Sequence, residues 1–215
     1  MNLTLVIGNR NYSSWSLRPW LAMKWAGLVF DEVRVRLNRP DTTAEILRYS
    51  PSGRVPCLVD GALAVWDSMA ICEYVNEQYC GGSLWPRAVA ERARARSIAA
   101  EMHSGFAALR THMPMDIRSR HADRGKAAAA RAGVSADIAR IQSIWMDCLA
   151  ARGGPFLFGG FSLADAFYAP VVTRFRTYAV VLPAPLSAYS VSVFALPAMK
   201  EWVAAAATEA ETLEN

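Results

Sequence analysis

Three short stretches in the first third of the sequence hold residues that can do chemistry. The first is Asn11-Tyr12-Ser13-Ser14-Trp15-Ser16, set between an apolar run and a helical pattern. Loops leading from a strand into a helix N-terminus are where α/β sheets bind ligands. Free backbone N–H groups and the positive end of the helix dipole favour an anion there. A serine hydroxyl in that place can donate its proton to a thiolate, stabilising the charged form. Each unit by which the thiol pKa falls corresponds to about 1.4 kcal/mol. A serine before a helix also serves as an N-cap, and Ser14 or Ser16 can take that part if Ser13 acts otherwise. The second stretch is Gly53-Arg54-Val55-Pro56-Cys57-Leu58. A proline opening a strand is often structural, but a cis Val55–Pro56 bond would turn the backbone N–H and C=O of Val55 outward, free to pair with a peptide-like ligand. The third is Trp66-Asp67-Ser68-Met69-Ala70-Ile71 at a helix start. There Asp67 is either a cap favoured by the dipole or a carboxylate for a ligand ammonium, with Ser68 and its N–H for a ligand carboxylate.

The elements that must position these residues follow from periodicity. Leu3-Thr4-Leu5-Val6-Ile7 is a short apolar run ending at Gly8, as in a buried strand. A helix through Trp20, Met23 and Trp25 closes at Gly27. Phe30 to Val35 alternates like a second strand, and a short helix lies near Thr43 to Arg48. Cys57 to Trp66 reads as two strands around the Asp60-Gly61 turn, and Asp67 to Tyr79 as a helix with Met69, Ile71, Cys72 and Val75 inward. The order βαβ, helix, ββ, helix gives an α/β unit over residues 1–80, with a Gly- and Pro-bearing linker at 81–86 and an all-helical unit over 87–215. In that second part, Arg87 to Met113 reads as one helix with Ile98, Met102, Phe106 and Leu109 on a face, ended or kinked by Pro114. Residues 118–134 read as polar loop and frayed helix ends, and Ile138 to Leu149 as helix. Ser162-Leu163-Ala164-Asp165 carries the signature of a capping box with Phe161 as its staple, and a last helix follows Leu196-Pro197 with Trp202 inward.

Composition narrows the function classes. Hydrophobic residues at 53% and charged residues at 20% exclude a disordered chain. The net charge of +4 comes from 23 basic and 19 acidic residues that are interleaved, so nucleic acid is not an expected partner. Cys57, Cys72, Cys80 and Cys148 form no C-x-x-C pair, which suits a reducing cytosol and suggests neither disulfides nor zinc. His103, His112 and His121 are nine residues apart, about two and a half helical turns, so neighbours point to opposite faces and no metal site is expected. The first residues lack a signal-peptide pattern, which predicts a cytoplasmic protein. The uncharged stretch from Thr177 to Met199 contains Pro183, Pro185 and Pro197, so it is expected as buried helix and loop and not as a membrane span.

Taken in order, these stretches resemble the cytosolic glutathione transferases, and within them most closely the zeta class. Ser13-Ser14-Trp15-Ser16-Leu17-Arg18 is similar to S-S-C-x-W-R, without a gap. Ser50 to Leu58 is similar to N-P-x-x-x-V-P-x-L, and Asp67 to Tyr74 to [EQD]-S-x-A-I-x-x-Y. The capping box and Leu196-Pro197-Ala198-Met199 extend the likeness along the chain. The resemblance implies a thioredoxin-like domain followed by an all-helical one, usually paired as a homodimer. It implies glutathione as co-substrate, no metal, and attack of its thiolate on a small hydrophobic electrophile, as in detoxification. It makes Ser13 the thiol-activating hydroxyl, with Ser14 as cap or auxiliary donor. Glutathione would be held by Ser13, Arg54, Val55, Pro56, Asp67 and Ser68, with Asp165 as a folding residue. The electrophile pocket would take Tyr12, Trp15, His103, Phe106, Arg110 and Met113. Two departures bear on activity. Trp15 stands where the motif has cysteine, which opposes maleylacetoacetate isomerase chemistry, and Tyr12 is a hydroxyl competing with Ser13. The alternatives are therefore a glutathione-dependent isomerase and a non-enzymatic glutathione-binding scaffold.

Overall fold

The computed structural model describes residues 3–213. Strand β1 (Leu3–Ile7) is followed by helix α1 (Ser14–Trp25), β2 (Asp31–Arg34), α2 (Thr42–Ile46), β3 (Cys57–Asp60), β4 (Leu63–Trp66) and α3 (Ser68–Gln78). The sheet order is β2-β1-β3-β4, with β1 parallel to β2, antiparallel to β3, and β3 antiparallel to β4. This is the thioredoxin-like arrangement. Because side chains alternate along a strand, Leu3, Leu5 and Ile7 enter the main core while Val6 meets Ile46 of α2 in a smaller one. A strand covered on both faces needs the unbroken apolar run that β1 has. Nine of the twelve residues of α1 are buried, and the helix ends where Gly27 takes a φ of 70°.

The remainder is mostly helical: α4 (Val89–Ser104), α5 (Ala107–His112), α6 (Ala122–Ala129), α7 (Ala132–Arg152), α8 (Leu163–Thr177), α9 (Ala184–Ala195) and α10 (Pro197–Ala207). Four expectations need correction. The single helix over Arg87 to Met113 is broken: Gly105 is extended and Phe106 is left-handed at φ 59°. Arg110 stabilises the break by donating to the Met102, His103 and Gly105 carbonyls that the ended helix leaves free. Residues 122–129 are helix and not loop. A Cβ on Gly125 would lie 2.0 Å from the Tyr178 carbonyl oxygen, so glycine lets α6 pack where its weak propensity alone would leave it frayed. Helix α7 extends beyond 138–149 at both ends. Helix α9 is not buried throughout: Leu186, Tyr189 and Val193 face inward while Val191 is 65% exposed. Among the described residues no helix is long and apolar enough to cross a membrane.

Helix α8 is buried along fourteen of its fifteen residues, so its N-terminus has no water to satisfy it. The capping box meets this need. Asp165 Oδ2 accepts from the Ser162 N–H at 2.8 Å and hydroxyl at 3.1 Å, and Oδ1 accepts from the Leu157 N–H at 3.1 Å. Phe161 packs on Trp25 and Phe156. Burial pushes the Asp165 carboxyl up to about 6, against the pull of those hydrogen bonds. A raised carboxyl means the folded state holds the proton more tightly, so this group's stabilisation is greatest in acid and is lost as pH rises through about 6. Asp165→Ala should destabilise the fold by roughly 2–4 kcal/mol through the lost cap and orphaned donors. In urea denaturation the loss should grow as the pH is lowered from neutral towards 5, where the wild type alone gains.

Candidate functional site

Strand register brings the three stretches together. Val6 pairs with Cys57, and Cys57 with Trp66, so the loop after β1, the segment before β3 and the turn after β4 share one end of the sheet. A cavity of about 600 Å³ opens there, lined by Trp15, Arg54, Val55, Pro56, Asp67 and Ser68, with Ser52 and Trp66 completing it. The Val55–Pro56 peptide is cis. Asp67 caps α3 through Oδ1, which accepts from the Met69 N–H at 2.8 Å, and it holds a φ of 74°. That backbone angle is unfavourable for a non-glycine residue, and such outliers gather where a side chain must be aimed.

Ser13 is the N-cap of α1. Its Oγ accepts from the Ser16 N–H at 3.4 Å and donates to Ser16 Oγ at 2.7 Å, which in turn accepts from the Gly8 N–H at 3.1 Å. A Cβ on Gly8 would lie 2.8 Å from the Leu37 side chain and 3.1 Å from the Ser13 Cβ, so any larger residue would displace Leu37 and crowd Ser13. Ser14 Oγ accepts from Arg174 Nη2 at 3.1 Å. Both serines are 6% exposed and neither is part of the cavity lining, which their neighbour Trp15 reaches. Tyr12 is turned elsewhere, its hydroxyl accepting from Arg118 Nη2 at 3.3 Å.

Residues 12–78 match the family model for the glutathione S-transferase N-terminal domain. By this segment, under a third of the chain, the sequence is similar to the glutathione S-transferase family. Over 68 residues it is 43% identical to a dichloromethane dehalogenase of Methylorubrum extorquens, covering 30% of this chain and 24% of that protein. Over 108 residues it is 35% identical to a probable maleylacetoacetate isomerase of Vibrio cholerae, covering 47% and 50% respectively. The chain thus spans between a quarter and a half of the length of these two relatives. A solved maleyl pyruvate isomerase, described as a bacterial glutathione S-transferase of the zeta class, shares the fold with a TM-score of 0.73 at 23% identity, covering 99% of this chain and 100% of that one.

Beside this cavity the structure adds a residue that sequence reasoning used only as part of a motif. Arg18 is fully buried between the rings of Trp15 and Phe167, at 4.3 and 4.9 Å from their centroids. It donates to Ser68 Oγ at 3.3 Å and to His103 Nδ1 at 3.4 Å, while its Nε and Nη2 find no partner. Burial, then Arg110 and Arg174, bring its pKa down to about 9, so it stays charged near neutrality. Arg174 is likewise lowered to about 9, by burial and then by Arg110. The remaining expectations for an electrophile pocket divide. His103 reaches the cavity wall through Asp67, with Nε2 3.4 Å from Oδ2. Arg110 stacks over Trp15 at 4.9 Å while holding the α4 break. Phe106 and Met113 belong to the hydrophobic core and line no part of this cavity, since a helical face reads the same whether it meets a cavity or packed side chains. The thiol of Cys57 is buried and pushed up by that burial, which disfavours thiolate chemistry there. Among the described residues no cluster of three or more His, Cys, Asp or Glu could hold a metal ion.

An arginine only donates, so His103 Nδ1 must accept and Nε2–H must donate to Asp67. This requires a neutral imidazole, and burial, with Arg18 and Arg110, holds His103 below 6.5 against the pull of Asp67. The stability tied to neutral His103 is present above about 6.5 and lost as pH falls through the depressed value. In proton NMR the His103 ring should titrate below 6.5, and Asp67→Asn should move it lower still. A wild-type midpoint above that value would rule out the Arg18–His103–Asp67 chain.

Proposed function

We propose that the chain is a glutathione transferase that binds glutathione in the cavity between Trp15 and Asp67 and joins its thiolate to a small electrophile. The observation that carries this reading is the convergence of Val55, Asp67 and Ser68 on one cavity beside the N-terminus of α1. The backbone of Val55 suits the peptide part of glutathione, Asp67 its ammonium and Ser68 its γ-glutamyl carboxylate, with Arg54 within reach of an outer carboxylate. Residues 1–80 would supply this half-site, 81–86 the linker and 87–215 the wall for the electrophile. The family resemblance supports a homodimer in the cytoplasm.

Ser13 is the proposed activator. As its hydroxyl stands it donates to Ser16, but both hydroxyls rotate freely about their C–O bonds. With a thiolate in place the chain runs the other way: Gly8 N–H to Ser16, Ser16 O–H to Ser13, Ser13 O–H to sulfur. Each bond in such a chain polarises the next. The thiol proton leaves to solvent, and the sulfur lone pair then forms the bond to carbon as the leaving group departs with its electrons. Ser14 competes for this role, because a hydroxyl that accepts from a buried guanidinium is a better donor.

A second reading, a glutathione-dependent isomerase of an acidic substrate, is favoured by one observation. Burial lowers the pKa of Arg18, Arg110 and Arg174, Arg110 lowers the other two further, and all three keep unpartnered N–H groups, a setting that suits an anion more than a hydrophobic electrophile. The two readings share the thiolate. Its ultraviolet difference absorbance, titrated against pH for glutathione bound to wild type, Ser13→Ala and Ser14→Ala, should show a depressed apparent pKa in wild type. Ser13→Ala should raise it by about one unit or more and Ser14→Ala by less. An unshifted thiol in all three proteins, with glutathione bound, would leave only a scaffold. Turnover of a neutral aryl halide, against isomerisation of an unsaturated cis-dicarboxylate, then separates transferase from isomerase.

A further inference from the structure

Arg10 and Asn11 lie between β1 and the serines, outside any helix or strand, and Asn11 is fully buried. Buried backbone polar groups need partners, and here all four come from far along the chain. The Arg10 N–H donates to Glu209 Oε1 at 2.7 Å, and the Asn11 N–H to Glu209 Oε2 at 3.0 Å. The Arg10 carbonyl accepts from Trp202 Nε1 at 2.9 Å, and the Asn11 carbonyl from the Ile117 N–H at 3.3 Å. The Asn11 side chain is also engaged, donating to Asp116 Oδ1 at 2.8 Å and accepting from the Arg118 N–H at 2.9 Å. From Asn9 onward the loop closes on itself: its carbonyl accepts from the Tyr12 and Ser13 N–H groups at 3.1 and 2.8 Å. The position of Ser13 is therefore set by the groups that hold residues 10 and 11.

Glu209 itself is built in. Its side chain is 4% exposed, and Arg34 Nη1 donates to Oε1 at 3.3 Å and to Glu211 at 3.2 Å. Arg118 donates to the backbone carbonyls of Glu209 and Glu211 and to the Tyr12 hydroxyl, so one guanidinium ties the tail to the residue next to Ser13. A carboxylate that spans two successive N–H groups fixes their relative orientation as no single bond does.

We propose that Glu209 is a positioning residue for thiol activation: through its two bonds to the Arg10 and Asn11 N–H groups, the segment after α10 sets the position from which the Ser13 hydroxyl acts. This rests on the reading of Ser13 as the thiol activator. Glu209→Gln keeps the shape but turns one acceptor into a donor facing an N–H. Glu209→Asp keeps the carboxylate on a shorter stem. In Glu209→Gln the apparent pKa of the bound glutathione thiol should rise by at least about half a unit, with glutathione affinity within about threefold of wild type. Glu209→Asp should recover most of the shift. Amide hydrogen exchange at Arg10 and Asn11 should quicken in the glutamine variant, which reads the clamp itself. A clamp with a purely structural role would lower the melting temperature and leave the thiol pKa in place.

Ser13→Ala, measured alongside, keeps the outcomes apart. If Ser13→Ala raises the thiol pKa and folded Glu209→Gln does not, the positioning role is overturned and the Ser13 reading stands. If Ser13→Ala also leaves the pKa where it is, that reading falls and takes this proposal with it. Should Glu209→Gln fail to fold, Arg34→Met, which removes a partly exposed partner of the same carboxylate, takes its place with the same two outcomes.

Discussion

A buried helix has to find partners inside the protein for N–H groups that a surface helix leaves to water, and α8 meets this constraint with a single carboxylate. Asp165 serves Leu157 and Ser162 at once, which fixes where α8 begins. The Leu163 N–H donates to the Leu84 carbonyl, so the segment between α3 and α4 is tied to the same point. Helical rise then places the later residues of α8. Phe167 lies over Arg18, the Tyr168 hydroxyl reaches the Ile98 carbonyl on α4, and Arg174 reaches Ser14. The guanidinium that reaches Ser14 is thus delivered from a helix whose placement depends on its cap.

The interior carries more positive charge than its ion pairs absorb. Arg18 and Arg174 are 0% and 3% exposed, and both remain cationic near neutrality. Proteins seldom bury guanidinium groups without carboxylate partners, because desolvation is costly unless other contacts offset it. Here aromatic faces, Ser68, His103 and the Met113 carbonyl offset part of it, and unpartnered N–H groups remain on Arg18, Arg110 and Arg174. Trp15 stacks on two of these guanidiniums and also lines the cavity, so it is the layer between interior charge and ligand space. A cysteine at that position would leave Arg18 far less covered.

Much of this was legible in the sequence where the signal is local. The apolar run of β1, the Asp60-Gly61 turn, Gly27 and the Ser162–Asp165 spacing each place their own constraint within a few residues. Arg54, Val55, Pro56, Asp67 and Ser68 were grouped by the family resemblance alone, and strand register is the physical reason the three stretches share one sheet end. Elements decided by tertiary contact were not legible. Nothing local in an alanine-rich helix announces the left-handed Phe106, whose break is held by an arginine four residues on, and α6 depends on a glycine meeting the Tyr178 carbonyl. Phe106 and Met113 have the spacing of a cavity wall and sit in the core. The Arg18–His103 bond crosses 85 positions, and Glu209 carries no pattern that separates it from any acid near a helix end.

The bonds from Arg10 to Glu209 close a span of 199 positions. Long-range closures of this kind form late, because the entropy of the intervening loop is lost before the contact contributes any stability. On a ribosome the sheet can pair as soon as β4 has emerged, well before Trp202 and Glu209 are available to the loop that bears the serines. The nascent chain would then carry the paired sheet with its serine loop still untethered. Assembly of that loop waits for the segment after α10.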